Sequence, residues 1–296
     1  MNTLIHEEIL ASNKVGKGIS FGTFGELLQG VQLDNDVDFL VTLPIKLYSQ
    51  AEFYPDSSGS LKVVPELKQK SSQLAINLLN YFNLPTGGTL SIKSDLPEGK
   101  GLASSSADLV ATARAIDSYY KLNIENDLLE RLMKEVEPSD GVMYPAVVSF
   151  YHRKVQLEEV FGSIPPLTII AIDEGGEVDT LEYNKFPKTY TPEEKAEYTL
   201  LKNKLKYAFE EQNVIAIGEV ATRSAIMNQT WQEKKSLEYF LHQSKNQGAL
   251  GVVVAHSGTY IGLLLCKEDK YYKQKLNNLH FELESKFEKV YFYDTI

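Results

Sequence analysis

The chain has 296 residues, 43% hydrophobic and 24% charged, an ordinary globular balance with room for two domains and a sizeable core. A formal net charge of −10 argues against nucleic acid or an anionic membrane surface as the main partner, while leaving a local positive site free to hold a nucleotide. The single cysteine, Cys266, excludes an internal disulfide framework and fits a reducing, cytoplasmic setting. The sequence is expected to carry no charged-then-apolar leader and no run of membrane-span length.

In chain order, Gly16, Gly18, Gly22 and Gly25 among Ile19 and Phe21 predict an extended segment rich in bends. Gly22–Gly30 (GTFGELLQG) reads as two tight turns around a buried-looking Glu26, and a hairpin with a solvated glutamate explains the same residues equally well. Phe39–Leu43 and Lys46–Phe53 predict two strands separated by Pro44. Leu74, Ala75, Leu78, Leu79 and Phe82 make one apolar helical stripe, broken by the Asn83–Gly88 turn. A strand over Thr89–Ser94 follows. A helix from about Asn126, read as its N-cap, ends at Glu137-Pro138-Ser139-Asp140-Gly141, where Pro138 biases Glu137 away from helical geometry and turns the chain sharply. Val147–Tyr151 and Val155–Leu157 are strand-like. Gly162–Pro166 is the expected domain boundary, giving domains 1–161 and 162–296. Beyond it come a strand over Leu167–Asp173, a polar loop (EGGEVDT) and two or three helices over roughly 192–247, the first a solvated Lys/Glu-rich surface helix. Gly251–Ala255 and Tyr260–Cys266 then pair around the turn His256-Ser257-Gly258-Thr259, with Cys266 a buried strand thiol. A helix near 268–278 and a strand over Lys289–Tyr293 close the chain. The second half is thus β-α-α-β-β-α-β, an α+β sandwich with helices on one face.

The stretch that organises the rest is Leu96–Tyr119, LPEGKGLASSSADLVATARAIDSY. It reads as strand exit, glycine-rich turn and helix, the helix carrying Leu109, Ala113, Ile116 and Tyr120 at helical spacing. Glycines allow close backbone approach, and a helix start offers unpaired N–H groups and a positive dipole end, a combination suited to phosphate. Serines at a helix start are equally ordinary N-caps. Gly99, Gly101 and Ser104 follow the dinucleotide spacing, but serine at the third position, Pro97 before the turn and the placement of Asp117 speak against that motif, and no G-K-[ST] completes a Walker A loop. Glu137 and Asp140 read either as a chemical pair or as caps of their turn. The histidines His6, His152, His242, His256 and His280 show no metal-ligand spacing, and no G-x-S-x-G elbow supports a Ser-His-Asp hydrolase.

Three turns together, Gly22–Gly30, Pro97–Ser106 and Gly248–Thr259, resemble the GHMP kinase superfamily in order and spacing. Pro97-Glu98-Gly99-Lys100-Gly101-Leu102-Ala103-Ser104-Ser105-Ser106-Ala107 is similar to that family's phosphate loop, P-x-G-x-G-L-[GA]-S-S-[AS]-A. GALGVVVAHSGT resembles its C-terminal glycine-rich motif. GTFGELLQG, EPSDGVMYP and AHSGT look most like the L-threonine kinase branch of the superfamily. The resemblance implies an α+β fold of two domains, the N-terminal one like ribosomal protein S5 and the C-terminal one ferredoxin-like. It also implies ATP and Mg²⁺, with a small hydroxylated metabolite as acceptor. ATP would lie over Pro97, Gly99, Lys100, Gly101, Leu102, Ala103 and Ser104–Ser106. Ser105 and Glu137 would stand on the metal side, with Glu135 and Glu130 as competitors for Glu137's place. Asp140 would face the acceptor hydroxyl as base or orienter, and Glu26, Ser257 and Gly258 would contact the acceptor. The family's first motif often carries a lysine where Phe21-Gly22-Thr23 stands here, which leaves Lys17 as the candidate to assist Asp140. Some superfamily relatives are decarboxylases or non-catalytic regulators, so a metabolite-binding regulator and a homoserine-type kinase are the competing readings.

Overall fold

The computed structural model describes residues 15–176 and 188–296; His6 and the predicted polar loop from Glu177 onward lie outside them. The elements are β1 (Gly16–Val31), β2 (Asp38–Pro55), β3 (Leu61–Val64), α1 (Gln69–Tyr81), β4 (Gly88–Ser94), α2 (Ser104–Tyr120), α3 (Asn126–Lys134), β5 (Val147–Tyr151), β6 (Gln156–Gly162), β7 (Leu167–Asp173), α4 (Pro192–Glu210), α5 (Val214–Met227) with a 3₁₀ turn at Asn228–Thr230, α6 (Leu237–Gln247), β8 (Gly251–Val254), β9 (Tyr260–Cys266), α7 (Tyr272–Glu284) and β10 (Tyr291–Asp294). The strands join in the order β10-β7-β9-β8-β1-β2-β4-β3, with β5 on β2 and β6 on β5. Among the described residues only the β3–β4 pair is parallel.

The two central strands are long because their glycines and proline bend them without ending them. The expected turns in Gly22–Gly30 are bulges within one strand: register slips fall between Phe21 and Gly22, Thr23 and Glu26, and Glu26 and Leu28. Gly25 takes φ +50° at the middle slip. Pro44 likewise does not divide two strands; it lies inside β2 opposite Thr23, where a slip in the ladder spares the missing donor. Gly18 has a separate reason. A Cβ there would meet the Ala111 carbonyl oxygen at 2.0 Å, so its hydrogen lets α2 lie directly on the sheet.

Helix α2 is apolar on most of its circumference, with Leu109, Val110, Ala111 and Ile116 all fully buried, so it fills the layer between the sheet and α1 and α3. An apolar cluster forms around it from residues of the first half, Phe21 to Val155. A second comes from the other half, Ile170 to Leu283. A third, around the fully buried Phe24, draws on both; the Phe24 ring meets Tyr260 edge-on and Tyr293 at a tilt, with centroids 5.8 and 5.3 Å apart. Strands β1 and β8 join the halves at Glu26 with Val254, an isolated bridge between Ile45 and Thr295 adds a second link, and the first of these brings GTFGELLQG beside AHSGT. The Lys/Glu-rich helix α4 is exposed on one face but buries Tyr198, Leu205, Ala208 and Phe209.

Several expected boundaries move. Val155 takes a left-handed φ of +48° and ends a turn, so the strand begins at Gln156. Asn126 is the first helical residue of α3, not its cap. The last helix and strand start later, at Tyr272 and Tyr291, and Cys266 is half-buried.

Candidate active site

Where β4 ends, Pro97–Leu102 forms a loop whose carbonyls are bound to its neighbours. Thr259 N–H donates to the Lys100 oxygen at 3.2 Å, Gly25 N–H to Gly101 at 3.1 Å and Thr23 N–H to Leu102 at 3.2 Å. With the carbonyls committed to β1 and the β8–β9 turn, the chain reverses at Ala103 (φ +58°, ψ +30°) and enters α2 with no side chain capping the helix. The three serines are therefore not ordinary N-caps. Ser104 Oγ donates to the Leu96 carbonyl at 3.2 Å, Ser105 Oγ to a Glu137 carboxylate oxygen, and Ser106 Oγ to Asp140 Oδ2 at 3.3 Å. The uncapped first-turn N–H groups border a cleft of about 410 Å³ lined by Pro97, Gly99, Gly101–Ser106, Glu137, Asp140, Glu26 and Ser257, among others. This is a size suited to a small-molecule site, with a positive helix end at its floor.

Two residues expected at the cleft lie off its lining. Lys100 does not line the cleft: its Nζ pairs with Asp173 Oδ2 at 2.7 Å and donates to the Gly176 carbonyl at 2.6 Å. Gly258 does not line it either. It packs on the back of the loop, where an added Cβ would meet the Lys100 carbonyl oxygen at 2.0 Å and Gly101 Cα at 2.6 Å. Gly101 (φ +79°) lines the cleft and also fits closely against Ala255 and Gly258, at 2.7 and 2.9 Å from a hypothetical Cβ. Gly101→Val should accordingly destabilise the protein by about 1–3 kcal/mol, combining left-handed strain with overpacking. A melting temperature equal to wild type would contradict this contact.

The carboxylates separate clearly. Glu137, buried, accepts from Ser105 and is ion-paired with Lys70. Glu130 is also buried but faces elsewhere, holding the Tyr144 hydroxyl at 2.9 Å and Leu157 N–H at 2.7 Å. Glu135 is exposed and accepts from Asn77. Of the three, only Glu137 borders the cleft. Asp140 is fixed by the Ser106 hydroxyl, which donates to its carboxylate and accepts its backbone N–H at 3.0 Å. Burial pushes its carboxyl up to about 7. The Glu26 charge adds to that, the Ser106 bond opposes it and Glu137 adds further. A group poised near neutrality can exchange protons at working pH. Glu26 is buried, and its Oε2 accepts from His256 N–H at 3.2 Å and meets His256 Nδ1 at 2.8 Å. The ring's Nε2 faces Ser224 Oγ at 2.8 Å. The solvated-hairpin alternative for Glu26 therefore does not hold. Lys17 is exposed and paired with Glu52, and its backbone N–H donates to Ser118 late in α2, whereas Asp140 is held by Ser106 at the start of that helix.

Sequence reading missed Lys68, Lys70 and Asp108. Lys68 Nζ bridges Asp108 Oδ2 at 2.6 Å and Glu98, and Ser49 also donates to Asp108. Burial works against the Lys68 charge, but these two carboxylates outweigh it and raise its pKa. Two lysines beside a helix start look like any surface pair in the sequence. Asp108 did carry a signal: an acid inside the apolar run of α2 must find partners. Among the described residues no group of three or more His, Cys, Asp or Glu could hold a metal ion, and no helix is long and apolar enough to cross a membrane.

Comparison with known proteins gives a consistent result. Residues 69–149 match the family described as GHMP kinases N terminal domain. An L-threonine kinase of Citrobacter freundii is 28% identical over 247 residues, 81% of this chain and 83% of that protein. An L-threonine kinase of Salmonella typhimurium is 26% identical over 268 residues, 88% of this chain and 86% of that protein. Among solved structures, a homoserine kinase from Cytophaga hutchinsonii superposes with a TM-score of 0.69 at 16% identity, covering 96% of both chains.

Proposed function

We propose, from the GHMP kinase N-terminal domain that this chain carries and the superfamily fold built around it, that the protein is an ATP-dependent small-molecule kinase whose acceptor is L-threonine. The observation that supports this best is the convergence on one cleft of an uncapped helix start, the Ser105–Glu137 pair and the near-neutral Asp140. Phosphoryl transfer asks for such a combination of phosphate cradle, charge neutralisation and an aligned hydroxyl. The threonine assignment comes from the two L-threonine kinases above, both similar along most of their length.

On this reading the first-turn N–H groups of α2 hold the ATP phosphates, and Lys68 and Lys70 offer positive charge at the same rim. Glu137 and Ser105 supply two hard oxygen donors, a set that suits Mg²⁺, which takes one or two protein oxygens and fills its octahedron with phosphate and water. Bound there, the ion would neutralise charge on the phosphates. The acceptor oxygen forms a bond to the γ-phosphorus as the bond to the β–γ bridging oxygen breaks, and that electron pair leaves with ADP. The hydroxyl proton passes to the Asp140 carboxylate, ionised above about pH 7. Glu26 and Ser257 face the acceptor. We further assign residues 1–161 to an ATP-binding domain and 162–296 to a second domain, supported by apolar clusters confined to each half.

Release of ADP in the presence of ATP and Mg²⁺ tests the proposal. L-threonine should stimulate it and D-threonine far less. L-homoserine, an isomer whose primary hydroxyl sits one carbon farther out, on Cγ, should react with roughly 10–200-fold lower kcat/KM, the scale on which a pocket discriminates a one-carbon displacement. Stimulation by a sugar or an isoprenoid alcohol and by no amino acid would overturn the threonine assignment. A homoserine preference would favour the homoserine-type alternative.

A further inference from the structure

The acceptor end of the cleft contains two buried polar atoms for which the described residues offer no hydrogen-bond partner: Gln29 Oε1 and His152 Nδ1. Both residues line the cleft, and His152 is only 6% exposed. Leaving such atoms unpaired is costly, and their shared place on the cleft lining asks for a ligand group.

Their placement follows from the strands. Glu26 and Gln29 are three apart on β1 and would face opposite sides of a regular strand. The slip between Glu26 and Leu28 inserts one extra residue, Glu26 pairing with Thr42 and Leu28 with Val41, which turns both side chains to the cleft face. Gln29 then pairs with Leu40, and Leu40 with Phe150. His152, in the turn just past the end of β5, also lines the cleft. Its carbonyl accepts Ser139 N–H at 3.0 Å, which ties it to the turn carrying Asp140. Burial lowers the His152 pKa to about 3, with Arg153 and Lys188 adding to this, so the ring is neutral and one nitrogen can accept. Glu26, the third group here, has Oε2 held by His256.

We infer that Gln29 Oε1, His152 Nδ1 and the Glu26 carboxylate together form an ammonium-recognition subsite, so that the acceptor must be an alcohol bearing a protonated primary amine. An ammonium presents three N–H donors and no acceptor, and this end of the cleft presents three acceptors. A carboxylate in the same place would meet the charges of Glu26 and Asp140, which act on each other here, while Lys188, near Glu26 and His152, supplies an opposing positive charge at the edge. The inference rests on the small-molecule-acceptor reading of this cleft, and it assigns selectivity to two residues that have no part in phosphate binding.

The test is calorimetric binding to the full-length protein with ADP present, using L-threonine, 1-amino-2-propanol (amine, no carboxylate) and 3-hydroxybutanoate (carboxylate, no amine). The first two should bind, and 3-hydroxybutanoate should bind at least about a hundredfold more weakly, because it leaves the acceptors unpaired. Gln29→Met and His152→Phe should each weaken 1-amino-2-propanol about 10–100-fold, the value of a hydrogen bond to a charged group, with ADP affinity and melting temperature unchanged. Gln29→Glu, which keeps the acceptor, should bind the amine at least as tightly as wild type. If His152→Phe does not fold, the two Gln29 variants decide alone. Equal binding of 3-hydroxybutanoate and L-threonine, no loss in Gln29→Met, or no binding of any of the three would overturn the inference. Turnover assays separate it from the kinase proposal. Amine-dependent binding without ADP formation would remove the kinase reading and leave the subsite. Turnover of alcohols with and without an amine at equal rates would do the reverse.

Discussion

Asp140→Asn should lower kcat by roughly two orders of magnitude or more, the range for loss of a general base, while ATP affinity changes little. Asparagine keeps the shape and can still accept from Ser106, but it cannot take the acceptor's proton. The pH dependence gives a second signature. Because the Asp140 carboxyl titrates at about 7, wild-type kcat/KM should rise with pH and level off above that value, and the variant should lack this limb. Stability should move the other way. A raised carboxyl pKa means that, between the ordinary value near 4 and 7, the folded protein holds a proton that the unfolded chain has released. This group's contribution to stability therefore falls as pH rises through that window. Asp140→Asn removes the ionised form and should melt no lower than wild type at pH 8, a loss of activity without a loss of stability. A folded variant with near-wild-type turnover would show that Asp140 only holds its turn, since asparagine serves a turn about as well.

The second large effect is expected at Glu137. Its buried carboxylate holds Ser105 Oγ and Lys70 at the start of α2. Glu137→Gln preserves the volume but removes the charge beside the phosphate end. We expect kcat/KM for ATP to fall about 10²–10³-fold, the scale of losing one preorganised electrostatic group, with a raised KM for ATP that separates it from the pure kcat effect at Asp140. Glu135→Gln is the matched control: Glu135 is exposed and bonded to Asn77, so it should stay within about twofold of wild type, as surface substitutions usually do. If Glu135→Gln matched Glu137→Gln, the assignment of the metal-side carboxylate would be wrong.

Local patterning made most of the elements legible. The α1 stripe, the β4 alternation and the strand-turn-helix at Leu96–Tyr119 each carry a period or punctuation of their own, and each forms where expected. Failures came where tertiary pairing overrode punctuation. Pro44 and Gly22–Gly30 look like breaks, yet two neighbouring strands carry β1 and β2 through them by shifting register. The strand β3 escaped notice because Leu61–Val64 is too short to show a period. The site followed the same division. Ser105, Glu137 and Asp140 lie within motifs and meet in one cleft. Lys100 belongs to the motif by sequence but turns to Asp173, a partner 73 residues on that no local signal marks. Gln29 and His152 come to the acceptor end through a bulge and a row of three strands, neither of which a single sequence displays.

The most direct test of phosphoryl transfer to an acceptor hydroxyl is the product itself. With ATP, Mg²⁺ and L-threonine, phosphorus NMR should show a phosphate monoester of threonine growing in step with ADP, and Asp140→Asn should slow both signals together. ADP accompanied only by inorganic phosphate, or ATP left intact with every hydroxy amino acid tried, would contradict it.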